Sequence, residues 1–492
     1  MDTSPPQGVR EVEKVKDFSD LIPAAPEIFM AVAAMALLMF GVFRRNSDSF
    51  VATIIAVAAM AVAGVLLLVG QDGMGFHGMF IADSFAVYAK ILVLIGSAVT
   101  LGMARGYMQR EEIYRFEYPV LVLLATLGMM MMISAANFMS LYMGLELQSL
   151  ALYVLAAYQR DSSRSTESGV KYYILGSLAS GLMLYGISLV YGFSGTVDFA
   201  DVARTVTDPT GTHIGVVVGM VFILAGLAFK VAAVPFHMWT PDVYEGAPTP
   251  ITAFFSIAPK VAAMALFVRV MVGPFGGMVD QWRQVVVFIS ILSMILGSLA
   301  AIPQSNIKRL MAYSSIGHVG YLLVGLAAGT VTGVQGILFY LTVYLFMNVG
   351  TFVVILSMRQ RGRTVEGIED LAGLSKTNPL MAGAMAIFMF SMAGIPPMAG
   401  FWGKFYIFKA AVDANMITLA VIGILTSVIG AYYYLRIVKI MYFDEPADSF
   451  DRPVGGGMVA IMGVCALMVM LITIIPAQLV AQAGVAASVL FR

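Results

Sequence analysis

Three lysines and one glutamate stand where an apolar solvent should exclude charge: Lys230 in GLAFKVAAVPFH, Lys260 in FFSIAPKVAAMALF, Lys404 in IPPMAGFWGKFYIF and Glu146 in LYMGLELQSLALYVL. A charge at the centre of a bilayer costs at least about 2.5–3.5 kcal/mol, so such groups face a protein interior or internal water and act there. The chemistry open to them is proton transfer. An amine removed from water holds its proton less firmly, and more firmly again when a carboxylate approaches, so an ion pair of changing separation takes up and releases protons. Glu146 is the expected partner of Lys230. A static salt bridge between them would leave Lys260 and Lys404 unexplained, because too few buried acids remain to pair with them.

Helical spacing puts these groups on polar faces. Tyr142, Glu146, Ser149 and Tyr153 share one face, Thr252, Ser256 and Lys260 another, and Ser314, His318 and Tyr321 a third. Hydroxyls one turn apart solvate a buried charge and hold water. A single stripe of this kind reads as adhesion between helices, whereas three, each centred on a titratable residue, read as a conduction path.

The elements that carry them are membrane helices. The chain has 492 residues, of which 60% are hydrophobic and 12% charged, so it is an all-α integral membrane protein. Zero net charge argues against a nucleic-acid partner. The one cysteine, Cys465, can form no intrachain disulfide and hold no iron–sulfur cluster. His77, His213, His237 and His318 lack metal-ligand spacing. Redox chemistry is therefore expected in other chains. Apolar windows fall at 24–43, 51–70, 80–104, 117–136, 138–158, 168–192, 214–238, 247–272, 284–302, 311–329, 332–357, 379–410, 415–442 and 456–476, which is about fourteen spans. Residues 1–23 form a polar extension of mixed sign, unlike a signal peptide, and no function is assigned to it.

Pro235 in the seventh span and Pro396–Pro397 in the twelfth interrupt helices at mid-membrane and free the carbonyls of Val231, Met392 and Ala393. Broken helices line transport paths. The breaks are five spans apart, an odd offset, which makes them antiparallel. This predicts helices 1–3 over residues 24–116, a five-helix repeat over 117–272, a second repeat of inverted topology over 273–443, and helix 14 with the C-terminus over 444–492, where 477–492 reads as a surface helix. The bland alternative is two unrelated proline kinks. Sixteen basic residues sit in the loops after odd-numbered spans, against Arg204, Arg283 and Lys409 after even ones. The odd loops are thus expected in the cytoplasm and both termini outside.

The stretch GLAFKVAAVPFHMWTPDVYEGAPTPITAFFSIAPKVA, the segment IKRLMAYSSIGHVGYLLVG and the loop GIPPMAGFWGKF resemble the antiporter-like membrane subunits of respiratory complex I, an NADH:quinone oxidoreductase. The resemblance covers essentially all fourteen spans. It implies two inverted five-helix repeats with broken helices 7 and 12, and it implies that Glu146, Lys230, Lys260 and Lys404 match the family's proton-translocating glutamate and lysines. By the same match Glu167 and Lys171 are the charged pair opening the sixth helix, and His237 and His318 are relay or gating groups. The implied partners are other membrane subunits of that complex and the lipid of a bacterial inner membrane. NADH, FMN, iron–sulfur clusters and quinone belong to other subunits, and this chain binds none of them. Two rivals stand beside this: a component of a multisubunit Na+/H+ antiporter, which shares the fold and similar lysines, and a structural membrane subunit that conducts nothing.

Overall fold

The computed structural model describes residues 18–44, 49–208, 214–452 and 454–491. Most of the polar extension, Arg45 and His213 lie outside the described residues. The helices are α1 Ala25–Arg44, α2 Ser49–Val69, α3 Ser84–Arg110, α4 Glu117–Ile133, α5 Phe138–Ala156, α6 Ser163–Ser194, α7 Phe199–Thr207, α8 Ile214–Val231, α9 Trp239–Gly246, α10 Thr249–Val272, α11 Val279–Ala301, α12 Ile307–Ala328, α13 Val331–Ser357, α14 Leu374–Thr377, α15 Pro379–Ala393, α16 Ala399–Asp413, α17 Ile417–Phe443, α18 Gly456–Ile474 and α19 Pro476–Ser488. Among the described residues, twelve helices are long and apolar enough to cross a membrane. The sequence count of fourteen also included α4, with 17 residues, and the span that the structure divides into α15 and α16, with 15 residues each.

Local chemistry explains where elements start. Hydropathy places the sixth span at 168–192, but α6 begins at Ser163, because its first turns are polar and Ser162 caps them by accepting from the Ser165 amide at 3.3 Å. The third span starts late for the opposite reason. A two-stranded hairpin pairs Gly73–Gly75 with Phe80–Ala82, and Asp83 then caps α3 by accepting from the Ala86 amide at 2.7 Å. Residues 477–492, expected to form a surface helix, contain α19, whose Ala483, Ala486 and Ala487 are buried.

In the centre α10 is buried along its length and α12 and α13 nearly so, whereas α1 and α18 present most of their surface outward. In an apolar solvent, helices are held by close packing and hydrogen bonds rather than by a hydrophobic force between them. Two such devices recur in the chain. The Phe138 amide donates to the Val197 carbonyl and the Phe199 amide to that of Ala136; the Ile307 amide donates to Glu366 and the Ile368 amide to Ser305, all at 2.8–3.0 Å. Each group in the first set is matched 169 positions later in the second, as are the helix-capping side chains of Asn137 and Asn306. The glycines repeat as well. A Cβ at Gly128 would collide with the Gln148 amide of the adjacent helix, and one at Gly297 with the Gly317 amide, again 169 apart. Five crossings (α5, α6, the α8–α9 pair, α10 and α11) separate the two hydrogen-bonded rings, so these lie on opposite faces of the bundle.

Candidate functional site at two broken helices

The first break follows α8. Ala232 adopts φ +64°, and the Val234 amide, which has left the helix, donates to Ser293 Oγ at 2.9 Å. With no N–H on Pro235, the Val231 carbonyl has no helical donor, and Lys260 Nζ donates to it at 3.4 Å from α10. The second break repeats the arrangement. After α15 the chain turns through Gly394 at φ +81°, and Lys404 Nζ on α16 donates to the Met392 and Ala393 carbonyls, both at 3.0 Å, and to Ser427 Oγ at 2.8 Å. The three carbonyls that the prolines were expected to free are therefore the acceptors of two buried lysines. The carbonyl end of a helix carries partial negative charge, which suits an ammonium group. Tyrosine rings add their faces, with Tyr244 5.7 Å from Lys260 Nζ and Tyr321 4.9 Å from Lys404 Nζ.

Gly394 is needed twice over. Its left-handed φ suits glycine, and a Cβ there would lie 2.9 Å from Lys404 Cδ, so any side chain would push the lysine away from its carbonyls.

Lys230 sits at the other end of the same turn, since Val231 follows it directly. Its ammonium donates to Ser149 Oγ at 2.7 Å, and Ser149 in turn donates to the Leu145 carbonyl at 2.6 Å. The Glu146–Lys230 contact expected from the sequence is open. Among the described residues no carboxylate lies within 4 Å of Lys230, Lys260 or Lys404, and Glu146 Oε1 is enclosed with no hydrogen-bond partner.

His318, fully buried on α12, bonds Tyr340 at Nδ1 (2.5 Å) and Tyr434 at Nε2 (2.9 Å), and the Tyr434 hydroxyl also bonds Ser314. The histidine therefore joins a hydroxyl chain spread over α12, α13 and α17. Tyr340 and Tyr434 were not singled out from the sequence, because they lie on other helices than His318 and only tertiary packing brings them to it. His237 lies in the first break, half-buried, with Nδ1 enclosed and unpartnered.

Glu167 and Lys171 pair at 2.7 Å, and they open a larger belt. Lys171 also reaches Asp242 at 2.8 Å; Arg309 holds Asp242 and Glu245 at 2.8 Å each; Arg164 holds Glu245 at 3.1 Å and Glu366 at 3.0 Å; Lys308 holds Glu366 at 2.7 Å. Burial pushes the Glu366 carboxyl upward, but the Lys308 ammonium, the Asn306 amide and the Arg164 guanidinium together outweigh it and leave this group below the ordinary carboxylate range. The belt ties α6, α9, α12 and the loop after α13 together on one face. Two further buried pairs went unrecognised in the sequence: Glu27 with Lys90 at 2.5 Å, joining α1 to α3, and Asp83 with Arg269 at 2.8 Å, joining the start of α3 to α10. Each links residues far apart in the chain, so no spacing rule finds it.

A helical membrane bundle in which two broken helices each end on a buried lysine is the architecture of an ion-translocating, antiporter-like subunit. Residues 135–430 match the family model described as NADH:quinone oxidoreductase/Mrp antiporter, transmembrane. The NADH-quinone oxidoreductase subunit N of Paramagnetospirillum magneticum is 61% identical over 478 residues, covering 96% of this chain and 98% of that one. The subunit N of Rhodospirillum rubrum is 59% identical, with 96% and 98% covered. Among solved structures, a chain of respiratory complex I from Thermus thermophilus superposes with TM-score 0.81 at 31% identity, covering 93% of this chain and 98% of its own. A chain of the Mrp complex from Dietzia shares the fold, with TM-score 0.85 at 22% identity over 95% and 97% of the two chains. The chain belongs to the NADH:quinone oxidoreductase/Mrp antiporter membrane family, in its subunit N branch.

Proposed function

We propose that this chain is a proton-translocating subunit in the membrane arm of a bacterial NADH:quinone oxidoreductase, embedded in the inner membrane beside other membrane subunits, with both termini on the outer side. Electron transfer and quinone reduction proceed in other subunits, which hold the NADH, FMN, iron–sulfur and quinone sites. They alter the field along the membrane arm. Closing Glu146 onto Lys230 draws a proton onto that amine; opening it sends the proton toward Lys260, and the hydroxyl–imidazole chain of Ser314, Tyr434, His318 and Tyr340 leads on to Lys404 and the outside. Glu167 and Lys171 set the charge at the entry, and His237 gates the first break. Residues 117–272 and 273–443 act as two antiparallel half-channels joined through α10 and α12.

One observation carries this reading. Lys260 and Lys404 are held by neutral carbonyls that the proline breaks expose, with no carboxylate in contact among the described residues. A lysine locked to a carboxylate keeps its proton; one held by dipoles releases it for a modest change in field. Moving one charge against about 100 mV costs roughly 2.3 kcal/mol, and a swing of two pKa units supplies about 2.7 kcal/mol. Lys230→Ala and Glu146→Ala, each in the assembled complex, are expected to abolish proton pumping and the quinone reductase activity coupled to it. An unchanged number of protons taken up per electron in either variant refutes the assignment.

A further inference from the structure

Where α3, the end of α13 and the start of α18 meet, the bundle leaves a cleft of about 430 Å³. Arg105 and Arg110 from α3 and Arg359 from the loop after α13 line it, against one acid, Asp451, which lies 3.8 Å from Arg359. Among the described residues neither Arg105 nor Arg110 has a carboxylate within 4 Å. Arg105 lies instead over the Phe50 ring at 3.7 Å, and Arg110 shares the opening with Arg359 and Asp451. The first turn of α18, a helix of 19 residues, also faces the cleft, with Gly455 and Gly457 at its mouth. There a Cβ would meet nothing within 4 Å, and the same holds for Gly102 opposite. Unpaired guanidinium groups, the amide end of a helix and walls without side chains together form a cradle for an anion.

The depth of the cleft is apolar, lined by Met103, Leu356, Met458 and Ile461. Its level in the membrane is fixed by the Arg359 loop, which continues to Glu366 in the charged belt on the face with the excess of basic loops. A basic mouth over an apolar floor at the inner membrane surface matches an anionic lipid, not a soluble anion. The outward-facing α18 packs on α13 but touches α3 only sparingly, so an occupant of the cleft would tie it to α3.

We propose that this cleft binds an anionic phospholipid of the cytoplasmic leaflet, its phosphate between Arg105, Arg110 and the start of α18, and its chains over Met103 and Ile461. The test uses the intact complex reconstituted in phosphatidylcholine, titrated with photoreactive phosphatidylglycerol, with adducts mapped by mass spectrometry to peptides spanning 102–110 and 454–461. Wild type is expected to label there saturably. Two guanidinium groups, each worth about fivefold near an anionic headgroup, set the half-saturating concentration of Arg105→Gln/Arg110→Gln roughly twenty-fivefold higher. Gly102→Leu, which occupies the cleft while keeping the arginines, is expected to weaken labelling severalfold, and it tests the site should the double variant fail to assemble. Equal labelling by a photoreactive phosphatidylcholine, unchanged labelling in both variants, or complete displacement by millimolar inorganic phosphate overturns the proposal.

Discussion

Two sets of buried charges sit in this bundle and are held in opposite ways. At one end of α3, Lys90 and Arg269 lie in contact with Glu27 and Asp83, each cation matched by its own carboxylate. At the broken helices, Lys230, Lys260 and Lys404 are held by a serine hydroxyl and by carbonyls, while Glu146 stands apart. Burial in an apolar stretch does not separate the sets, since Lys90 is as enclosed as any residue of the axis. The acceptor does. A carboxylate in contact neutralises the charge and fixes the proton, so the α3 set is a clamp between helices; dipolar acceptors tolerate the charge without fixing it.

The comparison breaks most sharply under single substitutions. Glu27→Gln leaves Lys90 charged and unmatched in the interior and is expected to cost about 3–5 kcal/mol, seen as loss of assembled complex and a lower melting temperature. The double variant Glu27→Gln/Lys90→Met should recover most of this. Lys260→Met orphans no acid, so the complex should assemble normally and melt within a degree or two of wild type while proton pumping is lost. If Glu27→Gln and Lys260→Met destabilise equally, the distinction between clamp and relay fails.

A smaller effect sharpens the axis alone. Gly394→Ala forces a left-handed φ on alanine, at about 1–2 kcal/mol, and crowds Lys404. Quinone reductase turnover should fall several-fold with assembly preserved, whereas Gly383→Ala, with open space around it, should be silent in the same assay. The smallest effect concerns the belt. The Glu366 carboxyl is held below its ordinary range in the folded chain, so its contribution to stability is complete above the unfolded pKa of about 4.3 and disappears as pH falls through the lower folded value. Acid should therefore destabilise wild type in that window, and the acid-induced fall in melting temperature should be shallower in Glu366→Gln.

Much of this was legible in the sequence. The freed carbonyls were legible, because elementary backbone chemistry names the groups that Pro235, Pro396 and Pro397 leave without a donor, and Lys260 and Lys404 take those groups. Helix periodicity set Ser149 beside Glu146, although it is Ser149, not Glu146, that meets Lys230. Pairings across helices were not legible. Glu27 and Lys90 are 63 residues apart and Asp83 and Arg269 186, so the view that few buried acids existed was formed without knowing that two acids were already engaged. Tyr340 and Tyr434 escaped notice for the same reason, and the amphipathic α7 was hidden by a window tuned to membrane-length helices.

The duplicated ring at Asn137 and Asn306 also carries an address label. In the copy that opens α12, the two residues after Asn306 and Ile307 are Lys308 and Arg309, both engaged by acids; in the copy that opens α5, the corresponding positions hold Met139 and Ser140. Two helix starts that share their cap and ring hydrogen bonds thus differ in two basic side chains of the kind that biases membrane insertion. In the folded chain that lysine and arginine are the posts to which the charged belt is fastened, and nothing equivalent stands at the matching turn of α5.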